Sequence, residues 1–397
     1  MRLIRKILYL LILLIVTACV SQPEKMTEQP LSFKDAVKNL TDNLLQQVKK
    51  HQGLNGGDKH IALDPFIDVS SGDVVQASLD IESLMAKRIA NYFPKFNIQR
   101  LSPLQLENIE YIMLGVLDYE LYGDAPKQKR YRIHATVLDP KVQKVIASTK
   151  VWLLEDSLDY TPVTIYENSP MYLKDKLLDS LINIAKSPVG TEVEARYYNA
   201  LEASAVITEA STAYSERDYG KALDLFQQAS YLPEGQTMRT YAGLYQTYRK
   251  LQHPDKAEDA FGKMFELGVE ENNLSTKFLF QVNNVEFVKN PNIRKQYVMW
   301  LRQIGKLFNS TEHCIQILGH TSRTGAEQYN RDLSLQRAEK VQKLLAPYFS
   351  QIQKRSAAIG RGYLDNIVGS GTDDARDAVD RRVDFEIVEC KPRLNLY

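Results

Sequence analysis

Cysteine is scarce in this sequence, with three among 397 residues, so where each one sits matters more than the count. A surplus of either charge is missing as well. The 50 lysines and arginines against 49 aspartates and glutamates leave a net charge of +1, which gives no reason to expect nucleic acid or an acidic surface as a partner. The N-terminal apolar stretch, Ile7 to Val16, is ten residues long. A membrane-spanning helix needs about 20, so that stretch does not span. Catalytic sets are absent too. His60, His134 and the Asp64/Asp68 pair lack a nucleophile or a metal-ligand partner at useful spacing. They read as solvated residues beside strands, and neither an enzyme nor a cofactor is expected.

What the chain does have is an ordinary globular balance, 44% apolar and 25% charged, with length for two to three domains. Its first residues read as an export signal. Arg2, Arg5 and Lys6 precede the apolar run, in the order of a signal peptide. The run ends in Val16-Thr17-Ala18-Cys19, which resembles the bacterial lipobox. That resemblance implies a signal peptide over 1–18, cleavage before Cys19 and acylation of Cys19. Val20 in the next position resembles lipoproteins sent on to the outer membrane, facing the periplasm. Residues 19–32 are then a polar tether. The alternative is an ordinary signal peptide with a chance cysteine.

Residues 33–165 read as an α/β sheet domain. Helical periodicity runs from Phe33 to Lys50, and an amphipathic helix carries Ile81, Leu84, Met85, Ile89 and Tyr92 on one face. Strands are expected at Ile61–Ile67, Asn97–Leu101, Tyr111–Tyr119, Tyr131–Leu138 and Val145–Leu153, with Asp139-Pro140-Lys141 as a turn. The runs His60 to Phe66, Tyr111 to Gly115 and Val145 to Ala147 resemble the FlgO-type domain of flagellar envelope lipoproteins. More distantly they are similar to CsgG and the N-terminal domain of TolB. The resemblance implies a docking module for protein partners.

Residues 166–272 begin with a transition and a helix over Leu173–Lys186. Ala222, Phe226 and Ala229 then recur as Ala257, Phe261 and Met264, an offset of 35 residues. Tyr241, Leu244 and Tyr248 fill the first-helix positions of the second copy. The pattern resembles the tetratricopeptide repeat, whose period is about 34. It implies paired helices with either a groove for a partner segment or a spacer that sets distance.

The last domain, 273–397, turns on Gly319 to Ala338. An apolar run, Ile315–Leu318, enters a Gly-His-Thr turn, and a helical pattern continues through Leu333, Val341 and Leu345. Thr324 with Glu327 three residues on is a capping-box signal. Together with Phe278-Leu-Phe280, Tyr329-Asn330, Leu333-Ser334, Arg337-Ala338 and Asp380-Arg381-Arg382-Val383, this stretch resembles the OmpA-like peptidoglycan-binding domain. The resemblance implies a βαβαβ fold opening on a Phe278–Phe280 strand. It implies a ligand, the diaminopimelate stem peptide, with a carboxylate held by Arg337. Asn283, Thr324, Asn330 and Leu333 match pocket positions, and Arg382 matches the second of the paired arginines. Ser322 stands where the family has the aspartate that holds the ligand's ammonium, and Asp380 replaces the usual asparagine. A charge-assisted hydrogen bond contributes roughly 1.5–3 kcal/mol against about 1 for a neutral one, so Ser322 weakens binding by about an order of magnitude. For Ser322 and Arg337 to share one ligand, the helix between them is expected to bend or restart between Asn330 and Ser334. Cys314 begins one strand and Cys390 ends another. The family's fold makes those strands antiparallel neighbours, which implies a Cys314–Cys390 disulfide; two unpaired thiols are the alternative.

The chain thus reads as a multi-domain α/β envelope lipoprotein tethering the outer membrane, or an assembly in it, to peptidoglycan. The rival is a scaffold of a flagellar, pilus or secretion apparatus whose last domain no longer binds the wall.

Overall fold

The computed structural model describes residues 29–52, 58–123, 128–167, 169–271, 273–281, 283–365 and 380–390. The signal segment, Cys19 and most of the tether lie outside the described residues.

Helix α1 (Phe33–Gln52) buries Ala36, Val37, Leu40, Leu44 and Val48, one stripe at helical spacing. There follow β1 (Lys59–Leu63), β2 (Ile67–Asp68), α2 (Gln76–Tyr92), β3 (Phe96–Arg100), β4 (Tyr111–Leu121), β5 (Lys129–Asp139) and β6 (Lys144–Trp152). They form one sheet in the order β3-β1-β4-β5-β6, with β2 also against β4. β1 runs parallel to β3 and β4, and β4, β5 and β6 are antiparallel. The strand expected from Ile61 to Ile67 is broken at Asp64-Pro65-Phe66, because proline has no N–H to give a ladder. Tyr92, expected on the buried face of α2, is 62% exposed. Its ring is covered instead by the Arg88 guanidinium, 3.6 Å from the centroid.

The sheet is covered on both sides. Leu63, Met113 and Leu117 pack with α1 and α2 on one face. Ile112, Leu114 and Val116 pack with Leu178, Leu181 and Ile182 of α3 (Lys176–Lys186) on the other. That is why the first eight residues of β4 are buried without alternation. Asp175 caps α3 by accepting from the Leu178 N–H at 2.9 Å.

After a short helix at Ala195–Asn199 come α4 (Leu201–Ser215), α5 (Tyr219–Tyr231), α6 (Met238–Lys250) and α7 (Pro254–Glu270), each packed on the next. Ala222, Phe226 and Ala229 of α5 and Ala257, Phe261 and Met264 of α7 are all buried. At Gly243 of α6 a Cβ would lie 2.3 Å from the Phe226 ring. The close approach of α5 and α6 therefore depends on that glycine.

The last part runs β7 (Ser275–Thr276), α8 (Pro291–Ser310), β8 (Cys314–His320), α9 (Glu327–Leu345), β9 (Ser356–Gly362) and β10 (Val383–Val388). Its sheet has the order β7-β10-β8-β9, with β8 and β9 parallel and β10 antiparallel to both β8 and β7. The βαβαβ run is present, closed by a returning last strand. Its opening strand is not Phe278–Phe280 but the two residues of β7. Phe278 and Phe280 lie outside the ladder; Phe278 stacks on Phe287 and also meets Tyr297 and Trp300, and Phe280 meets Phe287 at a tilt. Burying those rings outweighs two more backbone pairs. A Cys314–Cys390 disulfide joins the start of β8 to the chain just beyond β10, with Cα atoms 5.1 Å apart.

The parts share one core. Phe265 of α7 meets both Phe308 and Phe385 edge-on, and Met171 pairs with Thr276 of β7. Among the described residues, no helix is long and apolar enough to cross a membrane.

Candidate functional site

The turn after β8 is placed by a glycine. A Cβ on Gly319 would fall 1.9 Å from the Ser334 carbonyl oxygen, so only glycine lets the strand end lie across the middle of α9. Two hydrogen bonds tie three segments at that crossing. The Gly362 N–H donates to Ser334 Oγ at 2.9 Å, and the Thr321 N–H donates to the Gly362 carbonyl at 2.8 Å.

Beyond the crossing the chain folds along the first turns of α9. Ser322 is buried and Thr324 exposed, with their hydroxyl oxygens 3.5 Å apart. Asn330, buried, donates from Nδ2 to the Thr324 carbonyl at 2.9 Å. The Thr324/Glu327 capping box does not form; Ala326 is the N-cap and offers no side-chain acceptor. The Asn330 amide takes over the closing of this turn.

Helix α9 is continuous through Asn330 and Ser334, so it does not restart there. No restart is needed. The strand crosses α9 at Ser334, one turn before Arg337, rather than at the helix start. Leu333 is buried one turn before Arg337. Arg337 is 1% exposed. Its Nε donates to the Asn284 carbonyl at 3.1 Å and its Nη2 to the Gln281 carbonyl at 3.2 Å. The guanidinium also lies 4.9 Å from the centre of the Phe280 ring. Asn283, exposed and at φ +50°, makes the reversal that aims those carbonyls. A Lys340–Glu286 pair at 2.8 Å pins the same loop to α9.

Arg382 belongs to a different surface of the sheet. Along β8 and β10, Ile317, Val383 and Phe385 face the helices, so alternation turns His320, Arg382 and Asp384 to the opposite face. Arg382 Nε lies 3.0 Å from Asp384, and Nη2 donates to the Asp365 carbonyl at 3.2 Å. His320 Nε2 is 3.0 Å from Asp384 Oδ2, within ion-pair reach though off the direction of a hydrogen bond. Burial pushes the Asp384 carboxyl up, but His320 and Arg382 outweigh it and hold the group below its usual range. Asp384 was not among the expected residues. The signal was there, since an acid two residues after Arg382 on a strand must share its face. Beside this set, Thr321 Oγ1, His320 Nδ1 and Arg382 Nη1 are buried and have no hydrogen-bond partner among the described residues.

In the first sheet, ligand atoms of Asp118, Glu120 and His134 lie within 4.8 Å of one another. The Lys186 ammonium already pairs with both carboxylates, so the cluster carries its own cation.

With this geometry in place, the comparison with known proteins is specific to one part of the chain. Residues 288–379 match the OmpA family. The match includes Ser322, Thr324, Asn330, Leu333 and Arg337, while Asn283 and Arg382 flank it. The first sheet and helices α4–α7 lie outside the OmpA-family segment. Among solved structures, the chain is similar to the crystal structure of the peptidoglycan-associated lipoprotein from Burkholderia pseudomallei. Identity is 25% over 30% of this chain and 92% of that one, with a TM-score of 0.24. It is also similar to the periplasmic domain of Helicobacter pylori MotB, at 16% identity over 30% of this chain and 74% of that one, with a TM-score of 0.24. No curated protein matches the chain.

Proposed function

We propose that the OmpA-family domain binds the diaminopimelate stem peptide of peptidoglycan, and that the chain is an envelope anchor. Cys19 carries the lipid that holds it in the outer membrane, facing the periplasm. The observation that supports this reading is that Ser322, Asn330 and Arg337 are all buried, on the turn after β8 and along α9, inside the matched segment. In this reading Arg337 meets a ligand carboxylate and Ser322 meets the ammonium through a neutral hydrogen bond. The wall contact is weak, and the lipid anchor offsets that weakness by raising its effective concentration. The first domain and the helical pairs dock protein partners. A groove of about 340 Å³ between α5, α6 and α7, lined by Tyr231, Tyr241, Leu244 and Tyr248, suits a partner segment.

One observation favours the scaffold reading, in which the domain has left the wall. Arg337 is already engaged by two backbone carbonyls and an aromatic ring. Co-sedimentation of the full chain with insoluble peptidoglycan separates the two, with Arg337→Gln and Ser322→Asp alongside and melting curves to check folding. The anchor reading expects wild type to sediment, Arg337→Gln to lose most of it, and Ser322→Asp to bind about tenfold tighter. If wild type stays soluble and only Ser322→Asp sediments, the scaffold reading replaces it.

A further inference from the structure

A cavity of about 300 Å³ opens at the seam between the first sheet and the helical pairs. Its walls are largely apolar, formed by Pro65, Val74, Leu79, Val163 and Ile207. Arg239, on the first turn of α6, lines the same space. It is 7% exposed, yet among the described residues it makes no ion pair, and its buried Nε has no hydrogen-bond partner. Neighbouring cations are met: Arg100 at the rim pairs with Glu82, and Lys277 pairs with Asp73. The acids that act on Arg239 through space are Asp64 and Asp175. Asp64 accepts from the Tyr197 hydroxyl at 3.1 Å, and Asp175 caps α3. An arginine cannot discharge by losing a proton, and a buried donor left without an acceptor costs free energy. The open Nε of Arg239 is therefore a donor that an acceptor in the cavity would satisfy.

We propose that this cavity binds a small amphipathic monocarboxylate, with its apolar body against Pro65, Val74, Leu79, Val163 and Ile207 and its carboxylate on Arg239. The guanidinium fork matches a carboxylate in two parallel hydrogen bonds. The ligand carries one negative charge and no more, because a second, as on a phosphate, would face Asp64 and Glu82 across a poorly screening interior. The α4 wall sets the polarity of the ligand. Ser211 and Thr212 already donate to the Ile207 and Thr208 carbonyls at 2.8 and 3.0 Å, and Glu216 beyond them is itself an anion, so the charged end goes to Arg239. The volume fits the lower end of ligand-sized sites, about 300–1,000 Å³.

The test is titration calorimetry on the full chain with octanoate and its neutral counterpart octanamide. Octanoate is expected to bind one site and octanamide at least tenfold more weakly. Arg239→Met should lower octanoate affinity at least tenfold. Ser211→Trp fills the cavity from α4 with Arg239 in place, and it should abolish octanoate binding. The proposal is overturned if octanoate does not bind, if octanamide binds equally well, or if either variant keeps wild-type affinity. Should Arg239→Met not fold, Ser211→Trp decides alone, since retained binding there refutes the site. An N-acetyl dipeptide acid that binds more tightly than octanoate overturns it in favour of a peptide terminus.

Discussion

Lys277 reaches across 204 residues of sequence to set its ammonium 3.5 Å from Oδ2 of Asp73. The lysine comes from the edge of the C-terminal sheet and the aspartate from the loop before α2, and both side chains are largely out of water. Lys277 also donates to the Tyr166 carbonyl at 3.2 Å and lies 4.4 Å from the centre of the Tyr172 ring. One side chain thus joins the loop before α2, the segment before α3 and the edge of the C-terminal sheet.

Removing one partner of this pair leaves the other charge buried alone. Lys277→Met is expected to cost about 3–5 kcal/mol. The double variant Lys277→Met with Asp73→Asn should cost clearly less than the sum of the singles. Urea unfolding of the four proteins measures the coupling, and additive losses would show that the pair contributes nothing of its own.

Asp68 predicts a pH dependence. Burial pushes its carboxyl from 3.8 to about 6, against two 2.7 Å hydrogen bonds from Ser71. Between those values the folded chain binds the proton more tightly than the unfolded one, so stability falls as pH rises through the window, by about 3 kcal/mol. Asp68→Asn removes that fall. Its stability relative to wild type should rise by about that amount from pH 4 to pH 7, whereas a constant difference would remove Asp68 as the source.

Two glycines predict opposite signs for the same substitution. Gly319→Ala drives a methyl into the Ser334 carbonyl, where backbone meets backbone and neither can turn aside. It should destabilise by about 1–3 kcal/mol or more and loosen the turn carrying Ser322. Gly220→Ala, in the first turn of α5, meets nothing closer than 3.8 Å and should stabilise by about 0.5–1 kcal/mol. Urea midpoints for both decide it, and a loss at Gly220 would contradict the reading of α5.

Much of this was legible in the sequence because periodicity is local. Ile81, Met85 and Ile89 lie at helical spacing and are buried, and the Gly-His-Thr turn sits between β8 and α9. The Cys314–Cys390 meeting was implied by the resemblance to the OmpA-like fold rather than by spacing. The misses share another cause. Arg337 is held by the carbonyls of Gln281 and Asn284, and a backbone oxygen carries no residue identity to read. Thr324 has the right spacing for a cap, but Asn330 competes for the same turn and wins. Arg239 looks like any surface arginine on α6 until the first sheet closes over it. β7 is two residues long because the rings of Phe278 and Phe280 are buried better elsewhere, a preference set by Phe287 and Trp300 further along the chain.

The residues around β7 also decide how the molecule carries load. Phe385 donates its N–H to Leu274, Tyr172 to Ser275, Met171 pairs with Thr276 and Lys277 with Asp73. These junctions lie within four consecutive residues, so a pull between the first and last sheets strains them together, as a lap joint resists shear. They do not open in turn like a zip. The covalent Cys314–Cys390 link adds a rivet at the far end of β8 and β10. Tension arriving from the C-terminal side enters two strands at once.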